Sequence, residues 1–182
     1  MQLARADIGS VVGTLTSLGA RIGCHAAADT LRILAGRPLL GTDVDDASLP
    51  LEAGLAAAVN YRKGCYLGQE AIAMMTYRGQ MRRHLCWVSA APETPALGPG
   101  LVPMAGAGWA LRTADGKRAG RMGSAVILRD GQSVGLAMVQ RKAFAPNVEL
   151  WATADDGSQA RVRVLGTTAP GVFLATTTEA GA

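Results

Sequence analysis

Ile8, Val11, Val12, Leu15 and Leu18 recur at steps of three and four, with Ser10, Thr14 and Ser17 between them. This spacing predicts an amphipathic helix over residues 6–18, stopped by Gly19. Residues 21–24 read as a short strand. Residues 26–35 predict a second helix with Ala27, Leu31 and Leu34 on one face, closed by Gly36-Arg37-Pro38. Pro50 suits the first turn of a short helix through residue 56, and residues 70–76 predict another, with Met74 and Met75 as adaptable packing. From about residue 83 the period changes. Residues 83–88 alternate polar and apolar side chains as a half-buried strand does, and strand-like runs follow at 109–111, 125–128, 134–139, 148–151 and 160–165. Asp115-Gly116, Asp130-Gly131 and Asp156-Gly157 stand between these runs, the chemistry of tight hairpins. Several short strands so punctuated predict a small closed barrel, because closure removes sticky edges. Residues 91–103 are a Pro- and Gly-rich connector, and residues 169–182 a flexible, Thr/Ala/Gly-rich tail.

Composition changes this picture little. Of 182 residues, 49% are apolar but only 4% aromatic, so aliphatic side chains and alanine must fill the core. No apolar run reaches the roughly 18 residues of a membrane-spanning helix, and residues 1–7 do not read as a secretory signal. Cys24, Cys65 and Cys86 are an odd number without disulfide spacing, which predicts a reducing, cytoplasmic setting.

Charge does change it. Residues 1–60 carry four basic and six acidic side chains, residues 61–90 five and one, and residues 91–182 nine and seven. The positive excess therefore gathers around Arg62, Lys63, Arg78, Arg82 and Arg83, a patch suited to an anionic ligand. Inside it lies Tyr61-Arg62-Lys63-Gly64-Cys65-Tyr66-Leu67-Gly68-Gln69-Glu70, too polar for a core element. Two cations flank its thiol, the setting that favours a reactive thiolate, and its glycines suit a tight or left-handed backbone. The ordinary reading is a surface turn. Asp43, Asp45 and Asp46 form an acidic loop whose carboxylates suit a hard cation but most often are simply solvated. With Cys24 and His25 adjacent and no C-x-x-C, no metal site is assigned.

Lys63-Gly64-Cys65-Tyr66-Leu67-Gly68-Gln69-Glu70 resembles the K-G-C-Y-x-G-Q-E signature of the YgfZ family of folate-binding-type proteins. Upstream, residues 31–38 and 49–55 are similar to the L-R-x-E-A-G-x-P…P-x-E-x-G-L pattern that YgfZ proteins share with the glycine-cleavage T-protein, an aminomethyltransferase. Leu34 stands where those families carry glutamate. Gly120-Arg121-Met122-Gly123-Ser124 resembles their G-x-x-T-S turn, with Gly123 in place of threonine. The resemblance runs from about residue 20 to residue 165.

This resemblance implies an α+β fold: the C-terminal part of a folate-binding, T-protein-like domain (residues 1–80), then a small antiparallel β-barrel (81–168) and the tail (169–182). The family's pattern has a further segment ahead of the first helix seen here. The expectation is a partial front domain with exposed apolar helix faces: a fragment, a gene remnant, or a piece completed by another chain. The implied function is support of iron–sulfur cluster assembly or repair, and thereby of tRNA modification, by a non-catalytic factor. Its partners would be iron–sulfur proteins or their assembly machinery, and not a membrane. The alternative is a tetrahydrofolate-dependent aminomethyltransferase. Cys65 is the implied functional thiol, whether as ligand to a transient iron–sulfur cluster or in a mixed disulfide or adduct. Arg32, Lys63, Tyr66, Gln69 and Glu70 are the implied cofactor-binding residues, with tetrahydrofolate bound weakly because Leu34 replaces a polar partner. A third reading, an RNA-binding barrel using Arg78, Arg82 and Arg83, ranks last for want of interleaved aromatics.

Overall fold

The computed structural model describes residues 7–78, 81–90, 108–128, 131–154 and 157–168. The predicted connector at 91–103, the tail at 169–182, and Asp130 and Asp156 of the predicted hairpins lie outside them. Three helices, α1 (Ile8–Ser17), α2 (His25–Leu34) and α3 (Gln69–Arg78), precede six strands. These are β1 (Arg83–Ala90), β2 (Ala110–Arg112), β3 (Arg118–Ile127), β4 (Ser133–Gln140), β5 (Glu149–Thr153) and β6 (Gln159–Thr167). The strands form a closed barrel in the order β1-β4-β3-β2-β5-β6, antiparallel throughout, with β6 pairing back onto β1. The fold is therefore α+β with a small antiparallel barrel, as the strand pattern predicts.

One hairpin device is used three times. The N–H groups of Thr113, Leu128 and Ala154 donate to the carbonyls of Lys117, Gln132 and Ser158, and the same three residues' carbonyls accept from Gly116, Gly131 and Gly157. Those glycines sit at φ between +80° and +85°. A turn that ends on a left-handed residue matches the strands' right-handed twist, and glycine adopts that φ without strain.

The barrel interior holds Cys86 and Val88 of β1, Ala137 and Val139 of β4, and Leu111, Ala119, Met122, Leu150, Ala152, Val162 and Val164. The opposite faces of β1 and β4 are buried as well. Leu85, Trp87, Val134, Leu136 and Met138 pack with Ile33 of α2 and with Val44 and Ala53 of the loop over residues 39–55. The half-buried reading of β1 is thus corrected: its alternation separates two cores, not core from water. Trp87 closes the second core, its indole N–H donating to the Ile33 carbonyl at 2.9 Å. At the end of α2, the Arg37 N–H reaches the Arg32 carbonyl (2.8 Å) and the Gly36 N–H that of Ile33 (3.0 Å). Gly36 is left-handed there, φ +65°, and a Cβ on it would stand 2.8 Å from the Trp87 ring. This cap turns the chain off the helix and into the docked loop.

Other local expectations change. Residues 21–24 form no strand and are exposed, since nothing pairs with them among the described residues. In α2 the buried side chain is Ile33, while Leu31 is exposed. No residue of α1 is buried, and its Ile8, Val12 and Leu15 are 40–47% exposed. No helix among the described residues is long and apolar enough to cross a membrane.

Candidate functional site

The acidic loop is an anchor. Asp43 is 1% exposed. Its Oδ2 accepts from Arg32 Nη1 (2.9 Å), the Leu39 N–H (2.8 Å) and Ser124 Oγ (3.0 Å), and its Oδ1 from the Ser124 N–H (2.6 Å). Arg32 Nη2 donates in turn to Ser124 Oγ at 2.6 Å, and Nε to Asp29 at 2.7 Å. Helix, loop and barrel thus meet in one charge-assisted cluster.

A bulge makes this possible. The β3–β4 register breaks between Met122 and Ala125, which takes Gly123 and Ser124 out of the ladder and turns the Ser124 N–H to the carboxylate. The residues read as a G-x-x-T-S turn are therefore the interior of β3. A Cβ on Gly123 would stand 2.2 Å from Asp43 Oδ1 and 3.1 Å from the Leu136 carbonyl. Glycine is required here by the close approach of the carboxylate.

The loop's second anchor is Glu52, 5% exposed, whose Oε2 accepts from Arg83 Nε at 2.9 Å. Its carbonyl accepts the Leu85 N–H at 2.8 Å. Arg83 Nη2 donates to the Ala47 carbonyl at 2.7 Å. Between the anchors, the Ser48 hydroxyl, with Arg83 and Arg121 nearby, holds Asp45 below the usual carboxylate range. Below Glu52, Arg82, Arg83, Gln140, Arg141 and Lys142 line an open groove of about 1100 Å³. Among the described residues no three acidic, histidine or cysteine side chains converge on a metal position.

Beyond the second anchor the chain leaves the packed body. Cys65 is exposed. The Asn60 side-chain oxygen accepts the Arg62 and Lys63 N–H groups at 2.8 and 3.1 Å, fixing the turn into the segment. Lys63 Nζ lies 4.4 Å from the centre of the half-buried Tyr66 ring, and Gln69 Oε1 accepts the Tyr66 N–H at 3.3 Å. Glu70 is exposed in the first turn of α3, where a carboxylate complements the helix dipole. Leu67, fully exposed, tops the segment. Cys24 is exposed too, just before α2, whereas Cys86 lies in the barrel core, where burial pushes its thiol up to about 12.

No family model matches the chain. Curated proteins do. The chain is 35% identical over 104 residues to the tRNA-modifying protein YgfZ of Yersinia enterocolitica, a match that covers 56% of the chain and 29% of that protein. It is 32% identical over 139 residues to the tRNA-modifying protein YgfZ of Pectobacterium carotovorum, covering 75% of the chain and 39% of that protein. Over the part it spans, the chain is similar to proteins of the YgfZ family. It spans well under half the length of these relatives. The chain is also similar in fold to the glycine cleavage system aminomethyltransferase T of Bartonella henselae, with a TM-score of 0.60 over 77% of this chain and 37% of that one, at 21% identity. That likeness speaks for the fold alone.

The structure brings Lys63, Cys65, Tyr66, Gln69 and Glu70 together on one exposed segment. It holds Arg32 elsewhere. Arg32's partners are Asp29, the Arg37 carbonyl, Asp43 and Ser124, none of them in residues 61–70. A folate-binding arginine needs its fork turned to the ligand, and this fork is committed inward. Sequence reading missed Asp43, Ser124 and the Glu52–Arg83 pair as the architecture beneath the segment. The available signal was an acid set directly beside an apolar residue, Asp43 before Val44 and Glu52 after Leu51.

Proposed function

We propose that this chain is the cysteine-bearing part of a YgfZ-type factor, of the folate-binding class, that supports tRNA modification in the cytoplasm. It acts by assisting an iron–sulfur enzyme with the Cys65 thiol, not by turning over a substrate itself. The observation that carries this reading is the exposure of Cys65 on a segment braced by Asn60 and Gln69, with Lys63 and Tyr66 beside it. Cluster ligation and thiol exchange both need a thiolate that a partner can reach, and a soft sulfur ligand suits iron–sulfur chemistry. Aminomethyl transfer has only the fold in its favour.

The test is rescue of a YgfZ-deficient strain by this chain joined to a family N-terminal segment, read as tRNA thiomethylation by a cluster-dependent enzyme. Cys65→Ser is expected to abolish rescue at unchanged protein level. Cys24→Ser and Cys86→Ala are expected to retain it. Full rescue by Cys65→Ser would remove the thiol from the mechanism.

A further inference from the structure

The outer face of the barrel carries a row that only the strand register reveals. Arg112 of β2 pairs with Arg118 of β3 on one side and with Trp151 of β5 on the other, and Trp151 pairs with Arg161 of β6. Inward-facing neighbours settle the direction of each. Leu111, Ala119, Leu150, Ala152, Ala160 and Val162 are at most 4% exposed, so the four named residues lie on the outside. Four directly opposed positions, about 4.8 Å apart, make a strip about 15 Å long across four strands. Trp151 is 40% exposed, although neighbouring strand residues bury completely. The Arg161 guanidinium lies 6.0 Å from its ring centre. Two residues further along each strand, Arg163 faces Glu149, the acid that Arg163 (3.2 Å) and Arg161 (3.6 Å) share. At the hairpin tip Lys117 and Asp115 pair at 2.6 Å and cancel. Among the described residues, four arginines stand against one glutamate on this strip, an excess of positive charge.

We infer that this strip binds single-stranded nucleic acid, with phosphates on Arg112, Arg118 and Arg161 and a base stacked on Trp151. Arginine forks pair with phosphate oxygens, and an exposed indole offers the flat apolar surface that every base can cover. An acidic peptide would satisfy the arginines but has no planar partner for the indole, so nucleic acid is the better fit. The sequence alone shows no such interleaving, because Arg112, Trp151 and Arg161 become neighbours only through barrel closure. The site stands apart from the reading of Cys65 and does not depend on it.

Fluorescence anisotropy of labelled oligouridylate and oligothymidylate dodecamers, titrated with the full chain at about 50 mM salt, tests the inference. Binding of either strand supports it. Trp151→Ala is expected to weaken binding about ten-fold or more, and Trp151→Phe to keep most of it. Arg112→Gln is expected to flatten the salt dependence, lowering the log–log slope by about 0.7. Thermal melts by circular dichroism confirm that these surface variants fold. Three results would each overturn the inference: no binding by the wild-type chain, unchanged binding by Trp151→Ala, or displacement of the oligonucleotide equally well by an oligoglutamate peptide.

Discussion

Replacing Asp43 by Asn changes one atom and tests what holds α2 to the barrel. The carboxylate faces donors on every side: Oδ1 takes the Ser124 N–H, and Oδ2 takes Arg32 Nη1, the Leu39 N–H and Ser124 Oγ. An Asn offers one carbonyl and one amide. With its carbonyl in the Oδ2 position, its NH₂ meets the Ser124 N–H. Flipped, it meets three donors instead. Either way Arg32 loses its buried counter-charge. Removing one partner of a buried ion pair costs about 3–5 kcal/mol. Arg32 keeps Asp29, and its side chain is 16% exposed, which places the loss toward the lower end, at about 3 kcal/mol. Urea unfolding followed by tryptophan fluorescence reads this directly, because Trp87 sits at the seam between α2 and the barrel. With an m-value of about 2 kcal/mol/M, the midpoint should fall by roughly 1.5 M at unchanged slope. Arg32→Met should also destabilise, and the double variant should lose less than the sum by about 0.5–3 kcal/mol. A loss below about 1 kcal/mol for Asp43→Asn, or strict additivity with Arg32→Met, would refute the clamp and return Arg32 to the pool of ligand-binding residues.

Alkylation with iodoacetamide and peptide mass mapping should modify Cys65 first, with Arg62 and Lys63 flanking it, and Cys24 readily, since both are exposed. Cys86, its thiol pushed up to about 12 by burial, should react only on unfolding, and labelling of Cys86 at the Cys65 rate in folded protein would contradict the assignment. His84 is held below the usual histidine value, chiefly by burial, with Arg141 adding to the effect and Glu52 opposing it. Its neutral form is therefore the folded one. The stability it contributes is complete above about pH 6.5 and is lost as pH falls below that value toward its folded pKa. The urea midpoint should drop between about pH 7 and pH 5 in the wild type and much less in His84→Gln. A flat wild-type profile across that window would contradict the assignment.

The barrel was legible because its cues are local. Asp-Gly at each hairpin and two-residue alternation are properties of neighbouring residues, and the three hairpins repeat one hydrogen-bond pattern. The helices at 8–17 and 25–34 were legible for the same reason. Which face of α2 is buried was not, because Leu31 and Ile33 are equally apolar and only the docked Trp87 decides between them. Asp43 looked solvated because its acidic neighbours at 45 and 46 are. Its partners stand 11 and 81 positions away, and one of them becomes available only through a bulge. The 61–70 segment was legible as exposed from its polar content. Where it lies relative to Arg32 was not, since that depends on the path of the loop between them.

The positions shared with the wider pattern fall into two physical classes, and the division bears on how any loss of function is to be interpreted. Arg32, Gly36, Glu52 and Gly54 are packed or paired: with Asp43, against Trp87, with Arg83, and against Thr168. Lys63, Cys65, Gln69 and Glu70 stand in water, and the side chains of Lys63 and Gln69 meet Tyr66 of their own segment. The first class anchors residues 39–55 at both ends, through Asp43 to Ser124 and through Glu52 to Arg83, and so fixes the root from which the second class emerges. A reactive thiol meant for a macromolecular partner needs that combination, because a packed cysteine is unreachable and an unanchored one loses affinity to the entropy of ordering its loop. Substitution of an anchor acts on Cys65 indirectly, through the fraction of folded protein and the ordering of its loop, and a stabilising change elsewhere can offset the first. Substitution of Cys65 removes chemistry that no gain in stability restores.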